Sequence, residues 1–199
     1  MASAKKENKV ERVKRERDGL DCRAEILRYA REGFGSIDPE DLDVRLRWYG
    51  LYTQRPQEDG LFMLRVKVPG GTLSSRQLET LGRLSLAYAR NAGDVTTRQD
   101  IQLHNVRIED VPAIFEELER VGLTTSGACG DITRNVTGCP LAGLANDELF
   151  DVTDRVAMGG WGDDDIGALL MAMSTAMADE VAHLAELPGW TAAQLAPAM

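Results

Sequence analysis

The chain has 199 residues, 43% hydrophobic and 28% charged, proportions that allow a buried core and exclude wholesale disorder. The net charge of -9 is uneven: residues 1–20 balance at +3, 21–145 at -3 and 146–199 at -9, which argues against general nucleic-acid binding and leaves the basic N-terminal run as a solvated helix face. No stretch of about 18 consecutive apolar residues occurs, and the N-terminal charges lead into no apolar segment, so the sequence predicts a cytoplasmic chain without a membrane span or secretory signal.

In chain order, residues 7–32 are charge-rich with Val10, Val13, Leu20, Ala24, Leu27 and Tyr29 at loose helical spacing, and Gly33, Gly35 and Pro39 punctuate. VRLRWYGLY (44–52) reads as a strand, RPQEDG (55–60) as a loop, and LFMLRVKV (61–68) as a strand with Arg65 and Lys67 alternating into it. After Pro69-Gly70-Gly71, Ser74 or Ser75 caps a helix over 74–93 carrying Leu78, Leu81, Leu84, Leu86 and Tyr88. DVTTRQDIQLHNVRI (94–108) is a strand or strand pair. DVPAIFEELERVG (110–122) is a short helix with Asp110 as cap, Pro112 in its first turn and Gly122 as stop. The expected architecture is α+β, a small antiparallel sheet with both helices on one face.

TTSGACGDITRNVTGCPLAG (124–143) is short of large apolar residues, and a loop this long within a compact domain is usually functional or disordered. Beyond Asp154 the composition shifts to Met, Ala and Asp. A helix over 164–186 is expected there, behind a hinge at Gly159–Asp165, and its bland reading is packing or dimerisation.

Arg65 precedes a Pro-Gly-Gly turn, Arg98 starts the second strand region and Arg134 lies in the Gly-rich loop. Guanidinium binds carboxylates in a fork, so the three together suit a polycarboxylate. Taken singly, spacing favours a surface arginine paired with a local Asp. His104 is a lone histidine in an alternating strand, better read as a hydrogen-bonded residue than as a metal or haem ligand. Cys22, Cys129 and Cys139 form no closed disulfide framework and no zinc pattern, and they fall short of the four thiolates an iron–sulfur cluster usually takes. Gly127, Gly130, Gly138 and Gly143 do not spell a nucleotide-binding loop.

Three motifs in order, FMLRVKVPGGTLSSRQLETLG, DVTTRQDIQLH and GLTTSGACGDITRNVTGCPLAG, resemble the N-terminal part of the nitrite/sulfite reductase family over residues 20–154. The resemblance implies a lead-in over 1–49 and a ferredoxin-like half domain over 50–121. It further implies the first segment of a sirohaem and [4Fe–4S] domain over 122–154, leaving 155–199 as an unrelated tail. It implies that Arg65, Arg98 and Arg134 contact sirohaem carboxylates or the substrate anion, that Thr96, Thr97 and Gln102 line the cofactor, and that His104 belongs to the pocket wall without ligating iron. Asn105 departs from the pattern, where an aromatic residue is common, which puts the local packing in question.

For a complete family member the resemblance implies six-electron reduction of nitrite or sulfite with ferredoxin as electron donor. The second half, with its anion-binding lysines and four cluster cysteines, is not in this sequence. The expectation is therefore an N-terminal fragment holding part of the sirohaem and anion cradle, with no stably bound cofactor and little activity alone, and possibly a second chain as partner. The alternatives are a non-catalytic ferredoxin-like binding module or a truncated product without activity.

Overall fold

Asn8 accepts from the Val10 amide and starts α1, Lys9–Glu16. A 3-10 turn leads into α2, Arg23–Glu32, and Asp38 caps the short α3, Pro39–Asp43, by accepting from the amides of Glu40 and Asp41. These helices share one buried carboxylate. Asp41, 3% exposed, accepts from the Tyr29 hydroxyl at 2.6 Å, from Arg45 Nη1 at 2.7 Å and from Arg17 Nη2 at 3.4 Å. A basic, charge-rich lead-in thus becomes ordered because its charges find partners.

The strand expected at 44–52 is largely a helical turn. Arg45–Tyr49 is a 3-10 helix, and only Leu51–Thr53, β1, is extended. The sequence alternates at Val44, Leu46 and Trp48, yet Arg45, Leu46, Trp48 and Tyr49 are all buried, a three-residue period rather than a two-residue one. Gly50 ends the turn at φ +75, and a Cβ there would lie 2.4 Å from the Arg65 carbonyl oxygen, so the residue must be glycine for β1 to lie against its neighbour.

β2, Leu61–Val66, keeps the expected alternation: Phe62, Leu64 and Val66 are fully buried and Leu61, Met63 and Arg65 half-buried. α4, Ser75–Tyr88, starts in a reciprocal capping box between Ser74 and Gln77. The 94–108 region is a strand pair, β3 (Gly93–Val95) and β4 (Ile101–Arg107). α5, Val111–Glu119, follows a 3-10 turn at Ile108–Asp110; Asp110 precedes it but its side chain makes no capping bond.

The sheet runs β1-β2-β4-β3, antiparallel throughout. Leu64 faces Leu103, Arg65 faces Gln102, and Gln102 faces Asp94. Leu81 and Leu84 of α4 and Ile114, Phe115 and Leu118 of α5 pack with Phe62, Leu64, Leu103 and Val106 in one core that also takes Ile26 and Tyr29 from α2. Both helices therefore cover the same face, leaving the opposite face to Tyr52, Met63, Arg65, Gln102 and His104. The ladder carries one bulge, where Phe62 pairs with Val106 and Leu64 with Leu103. Asn105 takes the left-handed conformation there, φ +64, and its amide donates to Gln54 Oε1 at 2.6 Å. That conformation suits Asn better than an aromatic residue.

The structure, a computed structural model, describes residues 8–132 and 134–144. Contacts divide the chain into two compact units, 1–138 and 139–199. The described part of the second consists of turns, with Ala142 donating to the Cys139 carbonyl and Leu144 to that of Leu141. The expected 164–186 helix, the 159–165 hinge and His183 lie outside the described residues. No helix among the described residues is long and apolar enough to cross a membrane.

Candidate functional site

The sheet face opposite the helices is polar. With its amide oxygen turned toward Arg65, Gln102 accepts from Arg65 Nε at 3.2 Å and Nη2 at 2.5 Å. Further along β4, His104 Nε2 lies 3.1 Å from Asp94 Oδ2 and its Nδ1 3.1 Å from Gln54 Nε2. The histidine is half-buried and held from both nitrogens, as the hydrogen-bonded reading anticipated.

At the end of this face the 95–100 turn is fixed by Thr96, whose hydroxyl accepts from the amides of Arg98 (3.2 Å) and Asp100 (3.1 Å). Thr97 and Arg98 project exposed from it. The 124–138 segment is laid against the same end. Lys67 N donates to Thr124 O at 2.8 Å, Gly127 N to Trp48 O at 2.7 Å and Gly70 N to Val136 O at 2.8 Å. Asn135 Nδ2 donates to the carbonyls of Val68 and Arg98, each at 2.8 Å, and the Gln99 amide exchanges a reciprocal pair of 2.8 Å bonds with the Gly138 backbone. A loop poor in large apolar residues is thus ordered by backbone and amide hydrogen bonds.

Beneath the turn Asp100 is fully buried; its Oδ1 accepts from Val68 N at 3.4 Å and its Oδ2 has no partner. Burial raises its carboxyl above the usual carboxylate range, against the opposing charges of Arg65, Lys67 and Arg98. Lys67, 8% exposed, is lowered by its own burial. Cys129 is buried and raised by that burial, against the positive charges of Arg65 and Arg134.

The end of β2 that follows Arg65 therefore meets the Arg98 turn through Val68 and Asp100, and the loop of Arg134 is tied to both through Asn135. Among the described residues none of these three arginines forms an ion pair, a property they share with Arg31, Arg55, Arg76, Arg90 and Arg107, whereas Arg12, Arg17, Arg23, Arg28 and Arg45 are paired. The reading of each as a surface arginine neutralised by a local Asp does not hold.

Residues 54–121 match the model of the nitrite/sulfite reductase ferredoxin-like half domain. Through this stretch the chain belongs to the nitrite/sulfite reductase family. It is 43% identical over 165 residues to sulfite reductase [ferredoxin] 1 of Mycolicibacterium paratuberculosis, a match covering 75% of this chain and 30% of that protein. It is 38% identical to the ferredoxin–nitrite reductase of Leptolyngbya laminosa, covering 86% of this chain and 35% of the relative. The structure of Mycobacterium tuberculosis NirA protein superposes with a TM-score of 0.70 at 43% identity, over 75% of this chain and 30% of that one. The chain thus spans about a third of the length of the curated relatives it matches.

Backbone and amide contacts bring the turn that carries Thr96 and Arg98 and the loop that carries Arg134 to the end of β2, three residues past Arg65 and its partner Gln102. Thr97 lies on the same turn, while His104 stands apart with Asp94 and Gln54. Thr96 and Gln102 spend their side chains on the turn and on Arg65, so their part in any site is to hold others. Sequence reasoning missed Gln99, Asn135, Lys67 and the burial of Asp100. Only Lys67 carried a signal, a charge alternating into an apolar strand. Among the described residues no group of three or more His, Cys, Asp or Glu side chains could hold a metal ion.

Proposed function

We propose that this chain supplies one wall of the sirohaem and anion pocket of a ferredoxin-dependent nitrite or sulfite reductase. The observation that carries this reading is the meeting of three arginine-bearing segments, the end of β2, the 95–100 turn and the loop of Arg134, at one end of the sheet. The donor set fits the group: sirohaem is a polycarboxylate, and guanidinium is the side chain whose fixed fork matches carboxylate geometry.

When bound, sirohaem would supply the iron at which the anion takes up electrons delivered by way of a [4Fe–4S] cluster and, ultimately, ferredoxin. The work of this chain is to bind and orient. Arg65, held by Gln102 on a rigid strand, and Arg98 and Arg134, held on the turn and the loop, would take the carboxylates or the oxyanion, with Thr97 beside them. Guanidiniums fixed before the ligand arrives stabilise its charge without reorganising at that moment. His104, tied to Asp94 and Gln54, would stiffen the pocket wall. Residues 122–138 would begin the cofactor domain, already docked on the half domain through Thr124, Gly127 and Val136.

Titration of the full chain with sirohaem, which a single pocket wall is expected to bind weakly and saturably without retaining it through purification, followed by absorbance, tests this. Arg134→Ala is expected to weaken binding by about 1.5–3 kcal/mol, the worth of one charge-assisted hydrogen-bonding group. Unchanged affinity for Arg65→Ala, Arg98→Ala and Arg134→Ala alike overturns the reading.

A further inference from the structure

We propose that Gln99 and Asn135 are positioning residues. They lock the backbone that carries Arg98 and the backbone that carries Arg134 into one register against the end of β2, so that the three guanidiniums address a single polyanion. This rests on the pocket-wall reading above and extends it to residues that carry no charge.

The geometry is specific. Asn135 stands next to Arg134 and spends both amide protons outside its own loop, one on the Val68 carbonyl and one on that of Arg98, each at 2.8 Å. Val68 lies three residues past Arg65, so one side chain joins the three arginine-bearing segments. Its Oδ1 is left buried without a partner, so its donors are placed at the expense of its acceptor. Gln99, next to Arg98, sits at φ +63, a conformation costly for a residue with a Cβ. Its amide closes a two-point ring with the backbone of Gly138, donor to carbonyl and acceptor to N–H, both at 2.8 Å.

The neighbouring glycines make room for this arrangement. A Cβ on Gly71 would lie 2.9 Å from the Gln99 side chain. A Cβ on Gly138 would lie 3.4 Å from the Gly70 carbonyl. Long arginine side chains on independent loops would each lose conformational freedom when a ligand bound. Loops already tied together have lost the backbone share of it beforehand.

The experiment uses the 199-residue chain and sirohaem as the probe, with binding read by absorbance and backbone protection by amide exchange. Gln99→Ala and Asn135→Ala are each expected to raise the dissociation constant about tenfold. Exchange at the Gly138 and Gly70 amides is expected to speed up, while Leu64 and Leu103 keep their protection. In an Arg98→Ala/Arg134→Ala background, Gln99→Ala is expected to change affinity less than twofold, because the arginines it positions are gone. A role in general stability would weaken binding equally in both backgrounds, and that result overturns the proposal. So does weaker binding in the arginine variants with Gln99→Ala and Asn135→Ala unchanged, which leaves the pocket-wall reading standing. No saturable binding to the unsubstituted chain, or no effect of the arginine substitutions, overturns both.

Discussion

Arg65 and Gln102 stand opposite one another on β2 and β4, and the Gln102 amide oxygen accepts from both Nε and Nη2 of the guanidinium. A glutamine here leaves the arginine its full charge, where an Asp or Glu would have neutralised it. Gln102→Met keeps the volume and removes the acceptor. It is expected to lower stability by about 1 kcal/mol in urea denaturation, and to weaken sirohaem binding. Gln102→Glu is expected to hold the fold but weaken sirohaem binding further, by turning Arg65 into half of an ion pair.

The buried carboxyl of Asp100 makes stability depend on pH. A carboxyl raised in the folded state contributes stability that is complete below its unfolded pKa of about 3.9 and is lost as pH rises through the folded value. Asp100→Asn, which retains an acceptor for Val68 N–H, is therefore expected to unfold at higher urea than the parent at pH 7. The difference is expected to shrink as the pH falls toward 4. An advantage that grew on acidification would contradict the assignment.

Asp41 is the opposite case, a buried carboxylate satisfied by Tyr29, Arg45 and Arg17. Asp41→Ala takes the Tyr29 hydroxyl's acceptor and the nearest carboxylate of Arg45, while Arg45 keeps Glu16 and Glu40 and Arg17 keeps Glu25; it is expected to cost about 1.5–3 kcal/mol, against about 1 kcal/mol or less for the exposed Arg23–Glu119 pair. Chemical denaturation of the two variants side by side checks the contrast.

The thiols differ in the same graded way. Cys22 is buried and pushed up to about 12, first by burial and then by Asp41, and Cys129 is buried and raised, while Cys139 is exposed. A disulfide reagent at pH 8 is expected to modify Cys139 rapidly, and Cys22 and Cys129 only after unfolding, as resolved by peptide mass spectrometry. The purified chain is expected to hold no stoichiometric iron and acid-labile sulfide.

Gly50→Ala is expected to cost about 2 kcal/mol or more, since it combines a left-handed backbone with a Cβ 2.4 Å from the Arg65 carbonyl. Amide exchange across the β1–β2 ladder should rise before that across β2–β4.

The sequence disclosed the parts of this fold whose causes are local. Alternation in LFMLRV, the Ser74–Gln77 spacing and the apolar stripe of α5 each specify an element from neighbouring residues alone. The error at 44–52 came from a segment where the two periods overlap, and burial decided it: Arg45 goes inward because Asp41, one helical turn back, waits for it. The arginines of the site were legible through resemblance. Their lack of ion pairs among the described residues was not, because pairing depends on which loop lands where. Nor were Gln99 and Asn135, whose partners stand 39, 67 and 37 positions away along the chain.

Asn105 has a consequence for how this half domain can change over generations. Leu103 and Val106 both face the core with two residues between them, where a regular strand would have one. The surplus residue is Asn105, and it faces away from the core. Removing it would leave Leu103, His104 and Val106 in strict in–out–in order, with every inward side chain keeping its neighbours. The position is therefore a place where the family can gain or lose a residue without repacking its interior. Length differences between relatives are expected to collect at this bulge, beside the pocket wall, rather than on the helix side of the sheet.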